Sequence, residues 1–538
     1  MNFLDLESTG DRLLGRTLRY QAEQIPEHLF VIFGEYKYSY GKANSIVNSY
    51  AAGFVRLGVK KGDIVGIYMN SCPEYIFVTL ALNKIGAIWT PVNTDYKKDW
   101  LLMTVQDSCT NILITDESAL PRVMELGDRL PVDKLILNSK DTQLNIDIEA
   151  AYLSEFEKLP DDEPSDAELN YSDTTAVLWT SGTTGRPKGV KQSHNCWIRG
   201  AQSSGEIVSL KQGDILYCCL PLYNSAPWVS MIYTVLVHGI TLALDTSFSV
   251  NHFWERCKQY NATVTFTLGS MHMFLWNCSP KPDDADNLIR EAIMIPMPEE
   301  LIQPFMQRFG LEAIHQGYGQ SEVMTLLRRS ERPGRKWKPN CAGEVAKGIE
   351  LKLLDDNDNE VPPGEPGEFC VRPIEPYVIF NGYFNDCEAT LEAFRNLWYH
   401  TGDLGIRDQD GDYFFYDRKS DYIRYKGRNL SSFQIEGIVR KHPDVAQVAA
   451  HGVVSKILAS EAELKIAVVR KPNSTLTEEE LAKFINENAP YFYVPRYIEF
   501  LDDLPRTPTD KVQKYNLRER GVTETTWDRE AVGFKVVR

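Results

Sequence analysis

Positive charge is in short supply in this chain. Its 58 lysines and arginines face 74 aspartates and glutamates, a net charge of −16. Non-specific nucleic-acid binding needs a basic surface, so that class of function is excluded. A local cationic site for an anionic nucleotide is not. Cysteine lacks pattern: the 10 cysteines contain no CxxC pair and no regular spacing. They read as reduced, scattered thiols of a cytoplasmic protein, not as a disulfide or zinc framework. Cys218-Cys219 reads as buried strand filler. Long apolar runs are also missing. The longest apolar region, Tyr75 to Val92, is interrupted by Asn83, Lys84 and Gly86. It reads as a helix followed by a strand, not as a membrane span. Met1–Arg12 is polar and acidic, without the apolar core of a signal peptide. The C-terminal Phe-Lys-Val-Val-Arg carries no peroxisomal or prenylation address. The expected location is the cytoplasm, with no transmembrane segment and with peripheral membrane contact left open. No internal repeat or low-complexity tract is visible.

The 538 residues exceed one compact core and suffice for two or more domains. Arg12–Gln24 reads as a helix, and Leu29–Phe33 with Tyr36–Tyr40 as a hairpin. Strands at Ile64–Met69, Ile88–Val92 and Ile112–Thr115 alternate with helical patterns, which implies right-handed βαβ units and a mainly parallel sheet. Glu350–Leu354, Phe369–Arg372 and Asp412–Asp417 look like strands of a small β-rich subdomain. After Arg418 the pattern becomes compact α+β, with Thr477 and Glu480 forming a capping box. The fold class is therefore α/β. A large N-terminal domain of βαβ-built sheets, with the β-rich subdomain, spans 1–419, and a small α+β domain spans 420–538.

Three stretches carry chemistry. The apolar strand Ala176–Trp179 runs into a loop dense in glycine and hydroxyl groups. Thr180, Ser181, Thr183 and Thr184 offer hydroxyl donors, Gly182, Gly185 and Gly189 permit close backbone approach, and Lys188 supplies a cation. Backbone N–H groups, hydroxyls and one ammonium are what a polyphosphate needs. The spacing is not that of the Walker loop. In Tyr318-Gly319-Gln320-Ser321-Glu322, the tyrosine face can stack on a purine, glycines let the backbone reach a base edge, and Glu322 can ligate a hard cation. In Tyr399-His400-Thr401-Gly402-Asp403, one acidic residue at a strand end can accept both hydroxyls of a ribose.

Thr180–Gly189, TSGTTGRPKG, resembles the signature of AMP-forming adenylating enzymes: acyl-CoA ligases, peptide-synthetase adenylation domains and firefly-type luciferases. The resemblance spans roughly Ala43 to Lys511 with the motifs in family order. Its local flavour is nearest the fatty-acid-type and carnitine/crotonobetaine-type CoA ligases. It implies ATP binding by Thr180, Ser181, Gly182, Thr183, Thr184, Gly185, Lys188, Gln316, Gly317, Tyr318, Gly319, Ser321, Asp403, Arg418 and Lys511. It implies Mg²⁺ on Glu322 and catalysis by Lys511, Glu322 and Thr180. It also implies a small mobile domain hinged at Ser420. Tyr223, Asn224, Trp228, Lys426 and Gly427 would line the acyl and CoA channels.

The chain departs from the family pattern at Ser321 (threonine is usual), Asn224 (histidine), Asp417 (glycine), Ser420 (aspartate or lysine) and Asp510 (glycine). Ile293–Pro298 departs from the family's usual stretch beside the adenine. The implied activity uses ATP, Mg²⁺ and CoA: the acid becomes an acyl-AMP with release of pyrophosphate, then a thioester. Trp228, Met231, Met271, Met273, Phe274 and Trp276 flank the acyl channel in relatives. No arginine or lysine lies between Pro221 and Glu255. An unpaired second carboxylate would be costly there, so the expected substrate is an apolar monocarboxylic acid, either a fatty acid or a ring-bearing one. The competing expectation is a carnitine-like acid, whose quaternary ammonium could sit on Trp228 or Trp276 by cation–π attraction. Loading of a carrier-protein thiol and non-catalytic nucleotide binding are the other readings. The partners are then small molecules, with the protein a monomer or homodimer.

Overall fold

The computed structural model describes residues 6, 8–139, 148–180, 187–330, 336–421, 423–425, 428–454, 462–507 and 511–537. Two compact units divide the chain. The first is built from 1–180, 188–350 and 372–392, the second mainly from 351–371 and 393–538.

The first unit contains two mostly parallel sheets. One runs Glu149–Tyr152, Lys134–Asn138, Ile112–Asp116, Ile64–Tyr68, Ile88–Pro91, Thr174–Thr180, Lys188–Ser193. It is parallel throughout except for the last pair. The other places Ala313–Tyr318, Glu291–Ile295, Val264–Leu268, Ile215–Cys218, Thr241–Leu244 and Leu29–Phe33 side by side in parallel. Tyr36–Ser39 closes that row as the expected hairpin. Such strands are covered on both faces and so read as apolar runs. The helix Pro73–Lys84 is buried at every position except Glu74, as a helix apolar on all sides must be. The interrupted apolar region is thus a helix and a strand, and no helix among the described residues is long and apolar enough to cross a membrane.

The first expected helix starts at Leu14, not Arg12. Arg12 is buried, donates to Leu6 O at 2.6 Å and to Asn195 Oδ1 at 3.1 Å, and pairs with Glu375. A buried guanidinium is held by its carboxylate rather than spent on a helix end.

In the second unit, Pro366–Pro373, Trp398–Arg407 and Tyr413–Arg418 form an antiparallel run. A second sheet, Val445–Val454, Ala462–Arg470, Tyr497–Phe500 and Trp527–Asp528, packs with Ser432–Val439 and Glu478–Asn488 around Ile435, Leu464, Ile466 and Leu481. The capping box of Thr477 and Glu480 is present. The division into units does not fall at 419/420. Asp417 accepts the Ser432 N–H and the Ser432 hydroxyl, the latter at 3.1 Å, and Ser431 Oγ donates to Tyr416 O at 2.7 Å. These bonds join the β-rich strands to the first helix of the C-terminal segment.

Candidate active site

Thr180 and Lys188 face each other across the antiparallel pair that closes the first sheet, with Thr180 Oγ1 donating to Lys188 O at 3.3 Å. Ser181, Gly182, Thr183, Thr184 and Gly185 lie outside the described residues. Beyond Lys188, residues 381–384 run along the outer side of the strand. Asn381 N–H donates to Lys191 O at 2.8 Å and Phe384 N–H to Gly189 O at 2.7 Å.

Tyr318 ends its strand and pairs with Leu327 on the antiparallel strand Leu327–Arg329. The glycines beside it let this return pack closely. A Cβ on Gly319 would lie 1.8 Å from Met324 O, and one on Gly317 would lie 2.6 Å from Leu327 O. Gln316 Oε1 accepts the Met297 N–H at 3.0 Å. It therefore braces the segment that departs from the family pattern, a structural use not foreseen for an ATP-binding residue. Ser321 Oγ lies 3.2 Å from Ser225 Oγ, next to Asn224, so the glutamate loop and the channel motif are coupled. Glu322 accepts the Tyr383 hydroxyl on Oε1 at 3.0 Å, and Lys188 Nζ stands 4.9 Å from the centroid of the same ring. A carboxylate offers about four lone-pair sites. Such a group has the charge and hard oxygen donors that suit Mg²⁺.

In the channel motif, Tyr223 OH donates to Asp95 Oδ2 at 3.4 Å. Trp228 does not line an open channel. It is fully buried against Trp89, Tyr75 and Tyr233, with its Nε1–H on Leu222 O at 2.7 Å. A large aromatic with its one donor satisfied belongs in a core. Met231 is buried with it, while Phe274 is 56% exposed. The Trp276 ring carries the Arg308 guanidinium at 5.6 Å. Trp228 is therefore closed to a quaternary ammonium, and at Trp276 one would compete with Arg308. The five residues Trp228–Ile232 form a π-helical turn, a local irregularity common where helices meet functional sites.

In the second unit, Asp403 is buried and lies opposite Arg418 on the neighbouring strand, with Arg418 Nε 3.6 Å from Asp403 Oδ1. Glu368, which the sequence did not single out, braces this pair. It accepts Gly402 N–H at 2.9 Å, His400 Nδ1 lies 3.1 Å away, and Lys419 Nζ donates at 2.9 Å. Burial alone raises the Glu368 carboxyl, but the hydrogen bonds from His400 and Lys419 hold it at about 2. Glu368, Cys370 and His400 have ligand atoms within 4.8 Å of one another. Arg395 Nη2 is already 3.0 Å from His400 Nδ1 and Lys419 is on Glu368. Burial and the nearby Glu368 charge push the Cys370 thiol up. Two cations and a protonated thiol make this a hydrogen-bonded brace, not a metal centre.

Lys511 is exposed; Thr507 N–H donates to Lys511 O at 2.7 Å, and Arg506 forms an antiparallel bridge with Val512. Ser420 follows Lys419, and its Oγ lies 3.4 Å from Asp421 Oδ1. Lys426, Gly427 and Asp510 lie outside the described residues.

Residues 18–384 match the AMP-binding enzyme family, and residues 434–511 match the AMP-binding enzyme C-terminal domain. The crotonobetaine/carnitine–CoA ligase of Salmonella arizonae is 31% identical over 486 residues, 89% of this chain and 93% of the relative. That of Escherichia coli is 31% identical over 489 residues, 90% and 93%. The solved structure of an anthranilate CoA ligase in complex with anthranoyl-AMP superposes with a TM-score of 0.83 at 21% identity, covering 95% of this chain and 97% of that one. O-succinylbenzoate CoA synthetase from Bacillus subtilis, in complex with ATP and magnesium ion, gives 0.79 at 23%, covering 93% and 98%. The chain belongs to the AMP-binding enzyme family. Within it, the protein is an acid–thiol ligase of the acyl-CoA synthetase kind.

Proposed function

We propose that this enzyme activates a compact carboxylic acid in two steps, with ATP, Mg²⁺ and CoA as the other reactants. The observation that carries the reading is the assembly of Thr180, Lys188 and Glu322, held together through Tyr383 beside the channel motif. A carboxylate is a poor electrophile because its oxygen is a poor leaving group. In the first step a carboxylate oxygen attacks the α-phosphorus and the bond to pyrophosphate breaks, giving an acyl-AMP. In the second, the CoA thiol attacks the acyl carbon, AMP leaves with the C–O bonding pair, and the thiol proton passes to solvent.

Lys188 and the hydroxyls of the 180–184 stretch hold the polyphosphate. Asp403 takes the ribose hydroxyls with Arg418 beside it, and Tyr318 stacks on the adenine. Bound at Glu322, Mg²⁺ would offset negative charge on the phosphates. Lys511 supplies positive charge for the crowded α-phosphate. A preorganised group of that kind is typically worth about 3–4 kcal/mol. For the second step we propose that the residues from 420 onward reorient about Ser420, a hinge exchange between two packings, withdrawing Lys511 and bringing Lys426 and Gly427 to the thiol channel.

Support for a compact acid comes from the relatives rather than from the lining. With Trp228 and Met231 in the core, most of the support for a long apolar chain is gone. Relatives alike over nine-tenths of the chain are named for crotonobetaine and carnitine. A second reading, an apolar acid, is favoured by Leu268, exposed at the carboxyl end of a parallel strand, where ligands of such sheets bind, and by Phe274, exposed on the helix that follows it. The test is CoA-dependent AMP release across an acid panel, comparing kcat/KM for crotonobetaine, octanoate and a steroid-side-chain acid. Preference for crotonobetaine supports the compact acid, and preference for either apolar acid overturns it. Pyrophosphate release without a CoA thioester would replace CoA by a carrier-protein thiol.

A further inference from the structure

Residues 380–384 are bonded to both halves of the polyphosphate apparatus. On one side Asn381 N–H donates to Lys191 O at 2.8 Å, Lys191 N–H to Gly382 O at 3.2 Å, and Phe384 N–H to Gly189 O at 2.7 Å. On the other, Phe380 N–H donates to Glu322 O at 2.8 Å. The Tyr383 side chain repeats this double attachment. Its hydroxyl donates to Glu322 Oε1 at 3.0 Å, and its ring face carries Lys188 Nζ at 4.9 Å. The ring itself is fixed. It is only 8% exposed, and its own N–H is taken by Thr390 Oγ1 at 2.9 Å.

An ammonium and a carboxylate this near to one side chain would otherwise meet as an ion pair. Such a pair would cancel the charge each needs for its ligand, and nucleotide and metal would have to break it. Tyr383 offers each a neutral contact on a different part of its side chain: a quadrupolar ring face for the ammonium and a hydroxyl for the carboxylate. We propose that Tyr383 is a positioning residue for adenylation, holding Lys188 and Glu322 at separate places on one side chain for the polyphosphate and for Mg²⁺. The two tasks belong to different parts of one side chain, so they separate by mutation. This rests on the reading of Lys188 and Glu322 given above.

The experiment measures acid-dependent pyrophosphate release while Mg²⁺ and ATP are titrated in turn, with thioester formation from pre-made acyl-AMP and CoA as the control half-reaction. Tyr383→Phe keeps the ring and loses the hydroxyl. It is expected to raise the Mg²⁺ concentration for half-maximal rate about tenfold, the scale of a hydrogen bond to a charged group, with the ATP KM unchanged at saturating Mg²⁺. Tyr383→Leu loses both and is expected to raise the ATP KM as well, by about fivefold for a lost cation–π contact. The Phe variant thus rescues one parameter and not the other, which a merely structural role would not produce. Both variants should retain the control half-reaction. Equal loss in both half-reactions, or an unshifted Mg²⁺ dependence in Tyr383→Phe, overturns the proposal. Lys188→Ala and Glu322→Gln are measured alongside. If Glu322→Gln shifts the Mg²⁺ dependence and Tyr383→Phe does not, the role of Tyr383 alone fails. If neither Lys188→Ala nor Glu322→Gln alters ATP or Mg²⁺ dependence, the underlying site reading has failed and the proposal falls with it.

Discussion

Glu368 Oε1 accepts the backbone N–H of Gly402 at 2.9 Å, one residue before Asp403. Through Lys419 the same carboxylate also holds the residue after Arg418. Glu368→Gln keeps the shape and loses the charge. It is expected to raise the ATP KM several-fold, about 1 kcal/mol for a weakened brace, with the magnesium dependence unchanged. Its folded pKa of about 2 lies below the ordinary glutamate value of 4.5. The stability it contributes is therefore complete above pH 4.5 and lost as pH falls toward 2. Urea unfolding at pH 6 and pH 3 should show a smaller acid loss for the variant than for the native chain.

Lys511→Ala should lower acyl-AMP formation roughly 10²- to 10³-fold, the scale of one removed electrostatic stabiliser. Thioester formation from synthetic acyl-AMP should persist, because Lys426 and Gly427 are assigned to that step. Stopped assays of the two half-reactions check the division, and equal loss in both would refute it.

Gly319→Ala places a methyl group 1.8 Å from the Met324 carbonyl oxygen, so the turn must open. Pyrophosphate release should fall by more than tenfold, with a loss of stability of about 1–3 kcal/mol for forced packing. A variant with native melting temperature and native rate would show that the turn relaxes freely.

Asp417 grips Ser432 across the residue assigned as hinge. Burial raises its carboxyl above the ordinary aspartate value, against the pull of Lys514 and Ser432. Asp417→Gly, the residue usual in the resembled family, removes this grip. The expected outcome is an unchanged adenylation rate with a faster thioester step wherever reorientation limits turnover, read by single-turnover kinetics. A slower thioester step would argue that the grip orders the second packing instead.

Much of this was legible in the sequence because it lies in local pattern. The parallel strands announce themselves as apolar runs, and Thr477 with Glu480 needs only a three-residue spacing. The Tyr318–Glu322 turn carries a contiguous motif, as does the strand end at Thr180. Long-range pairings leave no such trace. Tyr383 reaches Glu322 across 61 residues, and Glu368 reaches Gly402 across 34. Neither position is unusual for its residue type. Trp228 misled because a tryptophan beside a channel motif reads alike whether its ring faces a ligand or Trp89. Only its enclosure decides that.

Because residues 381–384 lie along the strand Lys188–Ser193, they cover what would otherwise be an open edge of the first sheet. An exposed edge is a template for pairing with another chain. An N-terminal fragment cut before residue 380 would bare that edge next to Thr180 and Lys188, inviting self-association there. A fragment extended through residue 392 keeps the strand covered, and it matches the end of the first compact unit. Where the chain is cut thus decides whether its larger half stays monodisperse.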